Sequence, residues 1–152
     1  MIEAKLPENF PQWMKDHVDK YLSSKGTDGH MMKIRDLPEV PTLLLVTRGR
    51  KSGGKFLFPL IYGKHGNSYV VIASKGGAPE HPGWYKNLAK DPNVELQVGT
   101  EHLKAKARTA SGAERAKLWD QLVASFAPFA DYQVKAKAAN REIPVVILDP
   151  VK

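Results

Sequence analysis

Apolar residues near the start of the chain recur at helical spacing. Phe10, Trp13, Met14, His17, Val18, Tyr21 and Leu22 share one stripe, with Gln12, Lys15, Asp16, Asp19 and Lys20 opposite, which predicts an amphipathic helix. Residues 23–41 mix Gly, Asp, Pro and charge without sustained period and are expected to form a connection. Residues 42–47 and 69–73 are unbroken apolar runs without alternation, so both are predicted as strands covered on two faces. Residues 55–62 are also extended in character, but Pro59 cannot donate a ladder hydrogen bond, so that strand needs an edge or a bulge there. Val94, Leu96 and Val98 alternate with Glu95 and Gln97, and Leu103, Ala105 and Ala107 with Lys104, Lys106 and Arg108. With residues 99–101 as the turn, this is a hairpin with one wet face. Residues 143–148 supply a last strand. Pro82 suits the first turn of a helix that Asp91-Pro92 ends, and Ser111 with Glu114 fits a capping box ahead of Leu118, Trp119, Leu122, Val123 and Phe126.

Mostly consecutive strands with hairpin-length links and peripheral helices predict an α+β fold: a small antiparallel β-barrel of about six strands. One domain over residues 1–152 is expected, with an N-terminal helix and connection in 1–40 and the barrel in 41–150.

The chain has 23 Lys and Arg against 16 Asp and Glu, a net charge of +7. Such a balance suits nucleic acid, an anionic membrane surface or a polyanionic small molecule, and charge alone leaves all three open. The absence of cysteine excludes disulfides, thiolate catalysis and sulfur-ligated metals, so any redox chemistry needs a bound cofactor. No run reaches the roughly 18 apolar residues of a membrane helix, and residues 1–10 lack a secretory layout, so a cytoplasmic protein is expected. His17, His30, His65, His81 and His102 show no metal-ligand spacing on one element, and no metal is expected. Nucleophile-elbow, Walker and dinucleotide fingerprints are missing.

Two of the predicted strands end in glycine with basic residues, GRKSGG and SKGG, where backbone amides can gather around an anion. Three blocks in order, LLLVTRGRKSGGKFLFPL, ASKGGAPEHPGWYKNL and FADYQVKAKAANREIPVVILDP, resemble the deazaflavin-dependent nitroreductases, which bind coenzyme F420 in a split β-barrel related to that of flavin-binding oxidoreductases. The resemblance covers roughly residues 40–150 and is loose before them. It implies an F420H2-dependent oxidoreductase that passes a hydride to a small-molecule acceptor: a quinone, nitroaromatic or activated alkene. It assigns cofactor contacts to Arg50, Lys51 and Ser52, and to Phe56, Leu57, Phe58, Pro59, Leu60 and Ile61 on the following strand. It adds Ile72, Ala73, Ser74 and Lys75, then Gly83, Trp84, Tyr85, Lys86 and Asn87 at a helix start. Tyr132 and Ser74 are the implied catalytic residues, because reduction of such acceptors needs a proton after the hydride. Phe126 and Phe129 stand where relatives often carry tyrosines, which implies a different range of acceptors.

The same fold also hosts FMN, haem or a lipid-like ligand, so an FMN-binding or non-catalytic barrel is the alternative. A basic nucleic-acid-binding barrel, based on Lys104, Lys106 and Arg108, is a weaker one, because no aromatics are interleaved with those cations. The residues leave open a monomer or a homodimer, and a helix, with Trp13 and Tyr21, that walls the acceptor pocket or lies on a membrane.

Overall fold

Strands that bury both faces can close on themselves while helices cover the outside, and this chain does so. The structure is a computed structural model and describes residues 4–6, 10–34 and 36–151. Its elements are α1 (Gln12–Ser23), β1 (Met31–Met32), β2 (Val40–Arg48), β3 (Lys55–His65), β4 (Ser68–Ile72), α2 (Gly83–Lys90), β5 (Asn93–Val98), β6 (Glu101–Thr109), α3 (Gly112–Ser125), α4 (Pro128–Lys137) and β7 (Val145–Pro150). A single 3-10 turn, Lys75–Gly77, follows β4. Six strands pair antiparallel in the order β2-β3-β4-β7-β6-β5, and β5 returns to β2 to close the barrel; β1 adds to the start of β2. No helix among the described residues is long and apolar enough to cross a membrane.

Alternation along the strands fills two layers. Leu43 and Leu45 of β2, Val71 of β4, Leu96 of β5 and Val146 and Leu148 of β7 point into the barrel with Trp84 and Leu88 of α2. The intervening residues face out: Leu44 and Val46 under Val18 and Tyr21 of α1, and Val70, Ile72, Val145 and Ile147 under Leu118, Leu122, Phe126 and Phe129 of α3 and α4. Both apolar runs are therefore two-faced, as their lack of alternation predicted.

Pro59 takes the edge solution rather than the bulge. The β2–β3 ladder runs unbroken through Leu44 and Pro59, whereas β4 pairs with β3 only from Tyr62 onward. Lys5 bonds the free edge at Lys55 and Leu57. Between these two contacts the edge of β3 away from β2 has no strand neighbour among the described residues, and the wall of the barrel is split.

Several expectations need correction. Gln97, placed on the wet hairpin face, is buried because α1 lies over it; the Tyr21 hydroxyl reaches the Gln97 carbonyl at 3.3 Å, the Thr42 carbonyl at 3.0 Å and the Gly99 amide at 2.7 Å. Ser111 is the N-cap of α3 but makes no capping hydrogen bond, and the other half of the expected box is missing as well, the Glu114 carboxylate accepting from Arg108 at 2.9 and 3.4 Å. The supposed connection contains β1, and the last strand begins two residues later than residue 143. Helix α4 was not expected from periodicity, because its Ala- and Lys-rich sequence carries only a faint apolar stripe.

Candidate active site

A cleft of about 910 Å³ opens at the split. Its floor is the stretch of β3 whose far edge is free. One rim is the end of β4 with the 3-10 turn, the other is the β2–β3 turn and the start of α2, and α1, α4 and Phe126 just after α3 supply the far walls.

The β2–β3 turn forms the basic end. Gly49 and Gly54 close it through an amide–carbonyl bond of 2.6 Å, and Gly53 adopts a positive φ of 74°. Arg50 is fixed from below: its amide and its Nη1 both donate to Asn87 Oδ1, at 3.2 and 2.8 Å, while Asn87 Nδ2 donates to Thr47 Oγ1 at 3.1 Å. Asn87 is thus a buried clamp between turn and helix rather than a free ligand. Lys51 is exposed and reaches no acceptor among the described residues. A second hollow of about 490 Å³ lies beside this turn, lined by Arg48, Lys90 and Asp91. Its one carboxylate, Asp91, is held low chiefly by hydrogen bonds from Asn93 and so stays ionised.

Opposite lies the turn after β4. Lys75, Gly76 and Gly77 all have positive φ, at 48°, 62° and 82°. The amide of Gly77 donates to Ser74 and that of Ala78 to Lys75, which leaves the amides of Ser74, Lys75 and Gly76 without an acceptor among the described residues. Gly83 and Trp84, at the start of α2, likewise have free amides, and the helix dipole favours negative charge there. The Lys75 ammonium pairs with Glu80 at 2.9 Å, and Lys86 with the same carboxylate at 3.4 Å; these two hydrogen bonds hold Glu80 below its ordinary range.

The other end of the cleft is apolar. Phe58 packs edge-on against Phe10 at 5.2 Å, and Phe126, Phe129 and Tyr132 form a second aromatic series at 5.0 and 6.3 Å. Tyr132 and Ser74 both line the cleft, and neither hydroxyl makes a hydrogen bond among the described residues. Trp13 stands at the lip, 56 % exposed, whereas Tyr21, its proposed companion, is a buried clamp of α1 and takes no part.

All the expected site residues line this cleft except Ala73, Tyr85 and Lys86. Strand alternation explains the first: Ile72 and Ser74 face the cleft, so Ala73 between them points into the barrel. Helical phase explains the others. Gly83, Trp84 and Asn87 share a face, which turns Tyr85 toward His81 (4.9 Å) and Thr109 (2.9 Å) and Lys86 toward Glu80. Phe10 and Met14, read only as part of the first helix's apolar stripe, and Met32 and Ile34, in the stretch read as a connection, were not anticipated as lining; Phe126 and Phe129, tied to the acceptor range only by the resemblance, line the cleft as well. On the outer sheet, Arg108 is occupied by Asp149 at 2.8 Å and by Glu114, which leaves only Lys104 and Lys106 of the basic stripe.

A split antiparallel barrel whose cleft joins a cationic, amide-rich end to an aromatic end defines a class of proteins that hold a planar redox ring on an anionic tail. The model of the F420H2-dependent quinone reductase family matches residues 13–150, and the chain belongs to that family. A curated relative, the F420H2-dependent quinone reductase Rv1261c of Mycobacterium tuberculosis, is 35 % identical over 140 residues, 90 % of this chain and 89 % of its own. Another protein of that organism, Rv3178, bears the same name provisionally and is 43 % identical over 111 residues, 73 % of this chain and 91 % of its own. The solved structure of the F420-H2 dependent reductase FDR-A is 40 % identical, with a TM-score of 0.65 over 72 % of this chain and 94 % of that one. Coenzyme F420 is the cofactor that this membership supports, over the FMN alternative.

Proposed function

We propose that the chain takes a hydride from reduced F420 and delivers it to a quinone, and that nitroaromatics and activated alkenes of similar size are accepted in the same cleft. The observation that carries this reading is the division of one cavity into a basic, amide-rich end and an aromatic end. The residues fit the cofactor: its phosphodiester and glutamate tail need donors, and Lys51, the outer face of Arg50 and the free amides of residues 74–76, 83 and 84 offer them. When bound, the reduced deazaflavin supplies the hydride. Phe58, Phe126 and Phe129 hold the planar partners together and exclude water, so that proximity supplies much of the acceleration. A quinone that gains a hydride also gains a proton, and the Tyr132 hydroxyl, with Ser74 second, stands at the cleft to donate it.

Titration of the purified protein with F420 and with FMN, followed by fluorescence, tests the cofactor. Oxidation of F420H2 on addition of a quinone tests the reaction. Saturable binding of F420 alone and quinone-dependent oxidation are expected; preference for FMN would overturn the reading. Tyr132→Phe should lower kcat by about tenfold or more while leaving the F420 dissociation constant within about twofold. An unchanged kcat removes Tyr132 from the chemistry.

A further inference from the structure

Arg141, in the segment between α4 and β7, is 7 % exposed, and no carboxylate among the described residues pairs with it. Its four hydrogen bonds go elsewhere. Nε donates to the Ala78 carbonyl at 2.9 Å, Nη2 to Ser74 at 2.5 Å, and Nη1 to Ala73 at 3.2 Å and to His81 Nδ1 at 2.9 Å. The segment that carries it is itself tied to α4, since Gln133 donates to the Arg141 carbonyl and accepts from the Ile143 amide.

The carbonyls it grips matter because of the amides behind them. In a trans peptide the C=O and the following N–H point to opposite sides of the chain, and no peptide bond here is cis. A guanidinium that holds the carbonyls of Ala73 and Ser74 therefore turns the amides of Ser74 and Lys75 away from itself. Both residues line the cleft, and both amides lack an acceptor among the described residues. A buried cation without a counter-charge is costly, and an anion on the far side of these peptides is the charge that would compensate it.

We infer that Arg141 is a positioning residue for the anionic part of the cofactor: from behind the turn it aims the Ser74 and Lys75 amides into the cleft and adds positive potential there, with His81 as its neutral acceptor. This rests on the F420 reading of the cleft. His81 faces Arg141 and Lys86, both cations, and the ring of Tyr85, while the neighbouring Glu80 carboxylate is turned to Lys75 and Lys86. Burial first, then Arg141 and Lys86, lower its pKa from the ordinary histidine value, so at neutral pH its Nδ1 accepts. On protonation it stops accepting and repels Arg141. The grip is therefore complete above the ordinary histidine range and weakened, by one of its four bonds and by the new repulsion, as pH falls through the lowered one.

Two variants test this. Arg141→Lys keeps the charge but not the fork, and should raise the dissociation constant for F420 by about tenfold or more. In ligand-free protein it should also speed hydrogen exchange in residues 72–78 while leaving β2 and the β5–β6 hairpin as in the wild type. His81→Asn offers an acceptor that does not titrate. As pH falls from about 7.5 through the ordinary histidine range and on below it, for as long as both proteins stay folded, the wild type should lose F420 affinity more steeply than this variant. Wild-type affinity and wild-type exchange in Arg141→Lys would overturn the proposal; should that variant not fold, parallel pH profiles for wild type and His81→Asn would do so. If no form binds F420, the cofactor reading fails, and the exchange of residues 72–78 still decides whether Arg141 holds the turn.

Discussion

Arg50 and Lys51 are adjacent cations in different employment. Arg50 is tied to Asn87, so its removal disturbs both turn and ligand, whereas Lys51 has no partner among the described residues and reports on the ligand alone. Lys51→Ala should weaken F420 binding by about tenfold, since a hydrogen bond to a charged group contributes about 1.5–3 kcal/mol. The melting temperature should stay within about 2 °C, as for an ordinary surface change. Asn87→Ala should do the reverse in solution without ligand. It strands the Arg50 amide and Thr47 Oγ1 beneath the turn, and urea denaturation should record a loss of about 1–3 kcal/mol. At this scale Lys51 was legible because its type and its turn both pointed to an anion. The clamp role of Asn87 was not, because its partners come from residues 47 and 50, about forty positions away in sequence.

At the level of elements, the 3-10 turn and α4 work as a pair. A Cβ on Gly77 would lie 2.6 Å from the Tyr132 carbonyl oxygen and 2.9 Å from Lys135 Cβ, and the φ of 82° is already unfavourable for any other residue. Gly77→Ala should therefore cost about 2–5 kcal/mol, the sum of left-handed strain and overpacking, and shift the turn that faces the cofactor. Gly76→Ala is the control. Nothing lies within 4 Å of its Cβ position, so only the left-handed strain of about 1–2 kcal/mol should appear in urea denaturation. The long apolar runs of β2 and β4 announced themselves, because burial on both faces leaves a continuous signature. Two elements did not. The two-residue β1 is too short to carry a period, and α4 has Pro128 in its first turn but little apolar contrast between its faces. Arg141 was silent for a related reason: three of its four partners are main-chain carbonyls, whose identity no side chain advertises.

In the whole molecule, Tyr21 joins α1 to the barrel through β2 and the β5–β6 turn. Burial pushes its pKa from 10.0 up to about 12, against a smaller opposing effect of the Gly99 amide. Between those two values the unfolded chain has released a proton that the folded one keeps, so stability falls as pH rises through that window and is unaffected by this group below it. Tyr62 and Tyr69, raised chiefly by burial, act in the same direction. Tyr21→Phe should be less stable than the wild type near pH 8, by about 1–3 kcal/mol for the unmatched Thr42, Gln97 and Gly99 groups, yet lose less between pH 8 and about pH 10.5 in urea titrations. The unzipped seam between β3 and β4 has a consequence of another kind. A bare strand margin is a template on which a foreign chain can assemble, and Pro59 withholds a donor midway along it while Lys5 caps one end. A ring lodged against the remainder would finish that shielding, so filling the cleft guards the molecule against sticking to its own copies as well as equipping it for work.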